Sequence, residues 1–182
     1  ESLKALVKNI ATVGNITGEQ AAQREMWLGR LDESFKDYIG RKGEVLYFTG
    51  CTGALFPAAN KIPQSFVEIL KEAKVNFTLL GKEENCCGFP LYGAGEFAKG
   101  EEMILNNIAK IQELGVKEVV TTCPSCYHTI KEDWVKVYGK ELPFIVTHVS
   151  QYLERLIKEG KLEFEELNER VTYHDPCDLG RN

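Results

Sequence analysis

A chain of 182 residues has room for one domain of ordinary size plus a short extension, with a core that needs no covalent staples. Hydrophobic residues make up 43% and charged residues 27%, which excludes a disordered or collagen-like chain. The net charge of -5 has the wrong sign for a nucleic-acid binder, and no stretch nears the ~18 apolar residues of a membrane span.

Residues 1–37 carry helical periodicity, with Met26, Trp27, Leu28, Leu31 and Phe35 at spacings of three and four. Asn15-Ile16-Thr17-Gly18 interrupts that pattern. With no cysteine and no strand pattern, this segment reads as a helical packing arm outside the working domain. At Gly43 the pattern changes. Residues 44–49 are an apolar run ended by Gly50, as in a buried strand. Residues 63–74 read as a helix with Phe66, Val67, Ile69 and Leu70 inward, and 75–80 as the next strand. Residues 91–114 are helical, with Met103, Ile104, Ile108 and Ile111 on one face. Then come a strand at 118–122, a helix at 125–138, a strand at 144–146 and a helix at 148–159. The charged residues of 158–169 read as a solvated helical face, and 171–174 as a fifth strand. Strands alternating with helices of this length predict βαβ units: a Rossmann-like α/β domain with a parallel sheet and an N-terminal helical extension.

Val45-Leu46-Tyr47-Phe48-Thr49-Gly50-Cys51 and Val171-Thr172-Tyr173-His174-Asp175-Pro176-Cys177 are alike: a strand, a turn residue, then a cysteine. The chain reads as starting a second copy of its own unit. The expected organisation is an extension at 1–42, a first unit at 43–170 and the start of a repeat at 171–182.

Five cysteines form one pattern. Cys51 is followed after 34 residues by Cys86-Cys87, with Gly88 next, and 35 residues separate Cys87 from Cys123-Pro124-Ser125-Cys126. Each group follows a predicted strand, so all should meet on the carboxyl edge of one sheet, where open α/β folds place their ligand sites. Cys123 and Cys126 stand at i and i+3 of a helix start, a spacing that turns two thiolates toward one metal atom or cluster edge. The amides of a helix N-terminus favour the thiolate. Adjacent Cys86 and Cys87 point apart and suit different atoms of a large ligand. Gly50, Gly53 and Gly88 let backbone approach a bulky group. Five sulfurs exceed the four of a tetrahedral zinc site. The residues alone leave several chemistries open: disulfides, an isolated Cys-X-X-Cys redox pair, a structural zinc site on four of the five, or an iron–sulfur cluster.

The run from Cys51 through Cys86-Cys87-Gly88 to Cys123-Pro124-Ser125-Cys126 resembles the cysteine-rich CCG domain of heterodisulfide reductase catalytic subunits and related iron–sulfur oxidoreductases. The segment from His174 to Arg181 is similar to the opening of that family's second copy. Gly14-Asn15 and Arg24-Glu25-Met26-Trp27-Leu28 resemble the linker that joins a ferredoxin-like domain to the first copy. The resemblance implies a noncubane [4Fe–4S] cluster on Cys51, Cys86, Cys87, Cys123 and Cys126, with Cys177 at a second, incomplete site. It also implies that two such sites act together in cleaving a disulfide, each taking one sulfur. The expected partners are a ferredoxin-type electron donor, as domain or subunit, and a disulfide or quinone-type acceptor. The expected location is cytoplasmic, with attachment to a membrane complex open. The alternatives are a non-enzymatic electron-transfer module and a structural zinc domain.

No catalytic residue is assigned. His128, two residues after Cys126, reads as a surface or packing histidine with a proton role as its sharper alternative. His148 reads as a local hydrogen-bonding residue at a strand end, and Trp27 and Trp134 as core. There is no phosphate-binding glycine pattern, so nucleotide binding lacks support.

Overall fold

The structure, a computed structural model, describes residues 2–180. Strands β1 (Val45–Phe48), β2 (Phe77–Thr78), β3 (Glu118–Thr121) and β4 (Ile145–His148) form one parallel sheet in the order β2-β1-β3-β4. The helices are α1 (Ser2–Val13), α2 (Gly50–Leu55), α3 (Lys61–Glu72), α4 (Phe89–Gly93), α5 (Phe97–Leu114), α6 (Pro124–His128), α7 (Trp134–Tyr138), α8 (Val149–Lys158) and α9 (Cys177–Gly180).

The sheet is covered on both faces, which is why its strands are apolar runs rather than alternations. Leu46, Phe48 and Val119 point into a core with Ile104, Ile108 and Ile111 of α5 and Trp134 of α7. Val45, Tyr47, Phe77 and Val120 point the other way, against Phe66, Val67 and Leu70 of α3, Tyr152 and Leu156 of α8, and Trp27 and Leu28. The β1–β2 crossover runs on the second face and the β2–β3 crossover on the first. Strand order therefore reverses between β1 and β3, and the crevice at their carboxyl ends is where such sheets bind ligands. At β4, His148 accepts the Ser150 N–H at Nδ1 (3.3 Å), while Gln151 Oε1 accepts the His148 N–H (3.4 Å). This reciprocal cap starts α8, a contribution of about 1 kcal/mol, and gives His148 the local role expected of it.

Several elements differ from expectation. The segment around Met26 is two 3-10 stretches, Ala21–Arg30 and Glu33–Tyr38, and not one α-helix. Trp27, Leu28 and Phe35 are buried, but Met26 is 67% exposed, so the apolar residues do not share one helical stripe. The helix expected at 91–114 breaks into α4 and α5 around Ala94 and Gly95. The helix at 125–138 contains a π-helical turn, Thr129–Asp133, between α6 and α7. Residues 162–169 lie beyond the end of α8 and are not helical; Leu162 packs against the second core and 163–169 are solvated. The fifth strand is absent among the described residues. Val171 and Tyr173 are 80% and 73% exposed, and a strand with no partner ladder and no buried face has nothing to hold it extended.

Candidate metal centre

Cys51 is the second residue of α2, directly after β1. Cys86 and Cys87 end the loop that follows β2. Cys123 precedes α6 and Cys126 lies within it, after β3. Three loops thus bring the five cysteines to one edge of the sheet, around the β1–β3 switch point. Two glycines make that approach possible. Gly50 has φ +75° and an added Cβ would sit 3.2 Å from Cys126 Sγ, so a side chain there would press on the site. Gly88 has φ +101° and turns the chain out of the Cys86-Cys87 pair into α4.

The sulfurs form a series. Cys51, Cys86, Cys87 and Cys126 lie in one buried cluster with Cys123 packed against it, and each thiol shifts the next: Cys51 and Cys86, Cys86 and Cys87, Cys87 and Cys126, Cys126 and Cys123. The thiols divide into acceptors and donors. Hydrogen bonds from Cys126 and Cys86 hold Cys87 down to about 6. The Cys126 thiol and the N–H groups of Cys126 and Ser125 hold Cys123 down to about 7. Donation to Cys86 and burial push Cys51 well up. Donation to Cys123 and Cys87, with burial, does the same to Cys126. Cys86 receives a hydrogen bond from Cys51, yet its own donation to Cys87 and its burial push it up. Metal binding at these neighbouring thiols would displace the protons they hold. All six cysteines are free thiols. Among the described residues no three His, Cys, Asp or Glu side chains close around a point that would hold a single ion.

The loops are held by groups that the sequence pattern had not assigned. Asn107 of α5, fully buried, donates from Nδ2 to the Cys86 carbonyl (3.0 Å) and accepts the Asn85 N–H (3.2 Å). Trp134 Nε1 donates to the Cys87 carbonyl (2.8 Å), so this core residue also fixes the cysteine pair. Glu84 accepts the N–H groups of Thr49 (2.8 Å) and Gly50 (2.9 Å), tying the loop before Cys86 to the turn before Cys51. Arg24 pairs with Glu84 at 3.0 Å and donates to Cys51 Sγ at 3.1 Å. The opening segment is therefore part of the site's wall and not merely a packing arm. Asn107 had one visible signal, a polar residue within the apolar stripe of Ile104, Ile108 and Ile111. Arg24 had a weaker one, standing three and four residues before Trp27 and Leu28. Glu84 had none.

Cys177 stands apart from the sulfur series. It is exposed, at the start of α9, which packs on α6 through a hydrogen bond from Ser125 Oγ to Asp178 Oδ2 (2.5 Å). His128 is half-buried on α6 and bonds to no cysteine among the described residues. No helix among the described residues is long and apolar enough to cross a membrane.

The profile of the CCG family, described as a cysteine-rich domain, matches residues 45–131. The chain is 39% identical over 150 residues to a dihydromethanophenazine:CoB--CoM heterodisulfide reductase subunit of Methanosarcina mazei, covering 79% of this chain and 36% of that protein. It is 31% identical over 144 residues to the EtfAB:quinone oxidoreductase of Syntrophomonas wolfei, covering 79% of this chain and 20% of the other. A Bacillus subtilis protein named "Probable iron-sulfur-binding oxidoreductase FadF" is 32% identical over 181 residues, 95% of this chain and 25% of its own. The chain spans about a third of the length of the heterodisulfide reductase subunits it matches. No solved structure gives a significant match. The cysteine pattern, the parallel sheet that gathers it and these relatives agree: the chain belongs to the cysteine-rich CCG domain family.

Proposed function

We propose that this domain binds an iron–sulfur cluster through Cys51, Cys86, Cys87, Cys123 and Cys126 and is a redox centre of a heterodisulfide reductase-like oxidoreductase. The observation that carries this reading is the gathering of five cysteines from three loops in one buried cluster at the sheet's edge, as a series of neighbouring sulfurs. A series suits a polynuclear cluster, whose irons each take their own thiolate, better than one tetrahedral zinc ion. Five donors also suit a noncubane [4Fe–4S] form better than the ordinary four-cysteine one. When bound, such a cluster supplies one-electron exchange with a disulfide. The chain's own groups do the rest. Asn107 and Trp134 fix the backbone of Cys86 and Cys87, Gly50 keeps the space beside Cys126 open, and the buried surroundings keep water from the thiolates.

Relatives named as heterodisulfide reductase subunits and as a quinone oxidoreductase support a disulfide or quinone-type acceptor. Electrons would arrive from a ferredoxin-type domain or subunit, in the cytoplasm and next to a membrane complex. Cys177 would belong to a second site formed by a repeat of this unit. With one complete cysteine set, this chain by itself would exchange electrons at one site without full disulfide turnover.

Iron per chain after anaerobic reconstitution with iron and sulfide, compared for Cys87→Ser and Cys177→Ser, tests the assignment. Cys87→Ser should lose or rearrange the cluster, and Cys177→Ser should retain it. Equal loss in both would place Cys177 in the same site and remove the second-site reading.

A further inference from the structure

The Arg24 guanidinium is as deeply buried as the thiols beside it, and each direction in which it donates ends on part of the site. Nη1 reaches Glu84 Oε1 at 3.0 Å, and Nη2 reaches both Cys51 Sγ at 3.1 Å and the Gly14 carbonyl at 3.2 Å. That Gly14 carbonyl also accepts the Cys86 N–H at 2.7 Å. The turn carrying Gly14 is fixed by fully buried Asn15. Its Oδ1 accepts the N–H groups of Thr17 (3.1 Å) and Gly18 (2.9 Å), and its Nδ2 donates to the Glu19 carbonyl (2.7 Å). One carboxylate and one carbonyl thus connect Arg24 to the backbone of Thr49, Gly50 and Cys86. A buried cation with an acidic partner and a sulfur at hydrogen-bond distance does more than fill space. A compact ammonium could not meet three acceptors in these directions at once, whereas a planar fork can.

We propose that Arg24 is a positioning residue for the iron–sulfur site, holding Cys51 as a ligand and setting the reduction potential through its N–H···S contact. This rests on the reading of Cys51 as a cluster ligand. Hydrogen bonds and positive charge next to ligand sulfur stabilise the reduced, more negative cluster and raise its potential. The 14–24 segment, outside the span matched by the family profile, is then required for the centre.

The test compares the wild-type chain with Arg24→Lys, with the charge-neutral double variant Arg24→Met/Glu84→Gln, and with Cys51→Ser. Each is reconstituted anaerobically, and three quantities are read: iron per chain, the rate of iron loss to a chelator, and the midpoint potential from a redox titration followed by electron paramagnetic resonance. The double variant leaves no uncompensated buried charge, and circular dichroism of the metal-free form reports its fold. Wild-type iron uptake that Cys51→Ser abolishes upholds the ligand reading. The double variant should then lose iron roughly tenfold faster or more and show a lower potential. Arg24→Lys, which keeps the charge and loses the fork, should fall between the two. Should the double variant not fold, the same readouts on Arg24→Lys decide. Unchanged potential and unchanged iron loss would overturn the role of Arg24 while leaving the cluster reading intact. No iron uptake by the wild type would overturn both.

Discussion

Two arginine–glutamate pairs stand at opposite ends of the sheet, and their differences say more than their likeness. At the carboxyl end, Arg24 and Glu84 pair at 3.0 Å with both side chains 2% exposed. At the amino end, Arg155 of α8 and Glu118 of β3 pair at 2.6 Å, with exposures of 42% and 12%. The second pair is the shorter, yet it is a surface brace. Glu118 also accepts the Thr147 hydroxyl, and Arg155 lies over the Tyr152 ring, 4.8 Å from its centre. The first pair joins segments 60 residues apart and reaches a sulfur. Desolvation, not distance, separates them. An exposed pair gains little over its hydrated partners, whereas a buried charge is costly unless every partner is in place. Burial here coincides with the cysteines.

The largest expected effect comes from breaking the buried pair on one side only. Arg24→Met leaves Glu84 buried without its cation and should cost the metal-free protein about 3–5 kcal/mol in urea unfolding. Adding Glu84→Gln should recover most of that loss, because the penalty belongs to the orphaned charge. A double variant as unstable as the single one would show that packing, not charge, makes the pair matter. At the other end, Arg155→Met should cost no more than about 1 kcal/mol, and raising salt from 0.1 to 1 M should shrink that cost without touching the Arg24 effect. A salt-insensitive loss of several kcal/mol at Arg155 would erase the contrast.

The smallest effect concerns the β4–α8 corner beside the exposed pair. Burial holds the His148 pKa below its ordinary value of 6.5, and its neutral Nδ1 accepts the Ser150 N–H. A depressed folded-state pKa means that the folded form binds fewer protons. The stabilisation is therefore complete above about pH 6.5 and declines as pH falls from there through the folded-state value. His148→Asn, which keeps a capping oxygen, should flatten the pH dependence of thermal unfolding between pH 6.5 and 5. An unchanged slope would assign it to other groups.

Much of the molecule was legible because its signals are local. Each strand near the site is a short apolar run closed by a glycine or a cysteine, and the spacing of the cysteines is the spacing of βα turns. Knowing the strands was enough to place Cys51, Cys86, Cys87, Cys123 and Cys126 on one edge. What escaped depends on contacts distant in sequence. Arg24 meets Glu84 across 60 residues, and Asn107 meets the Cys86 carbonyl across 21. Periodicity records which face is apolar and says nothing about which polar group crosses it. The fifth strand failed for the opposite reason. Val171 to His174 has strand-like residues, but β-propensity is realised only against a neighbouring ladder, and none lies beside it among the described residues. The 3-10 segments around Trp27 show the same limit, since packing against α3 decides which of their apolar residues turn inward.

The central claim is that five sulfurs from three loops hold one polynuclear centre. Its most direct test is the anaerobic determination of iron, zinc and acid-labile sulfide per folded chain after reconstitution. The account predicts ~4 iron and ~4 sulfide per chain with no zinc, as for a [4Fe–4S] cluster. One zinc per chain with no sulfide would contradict it.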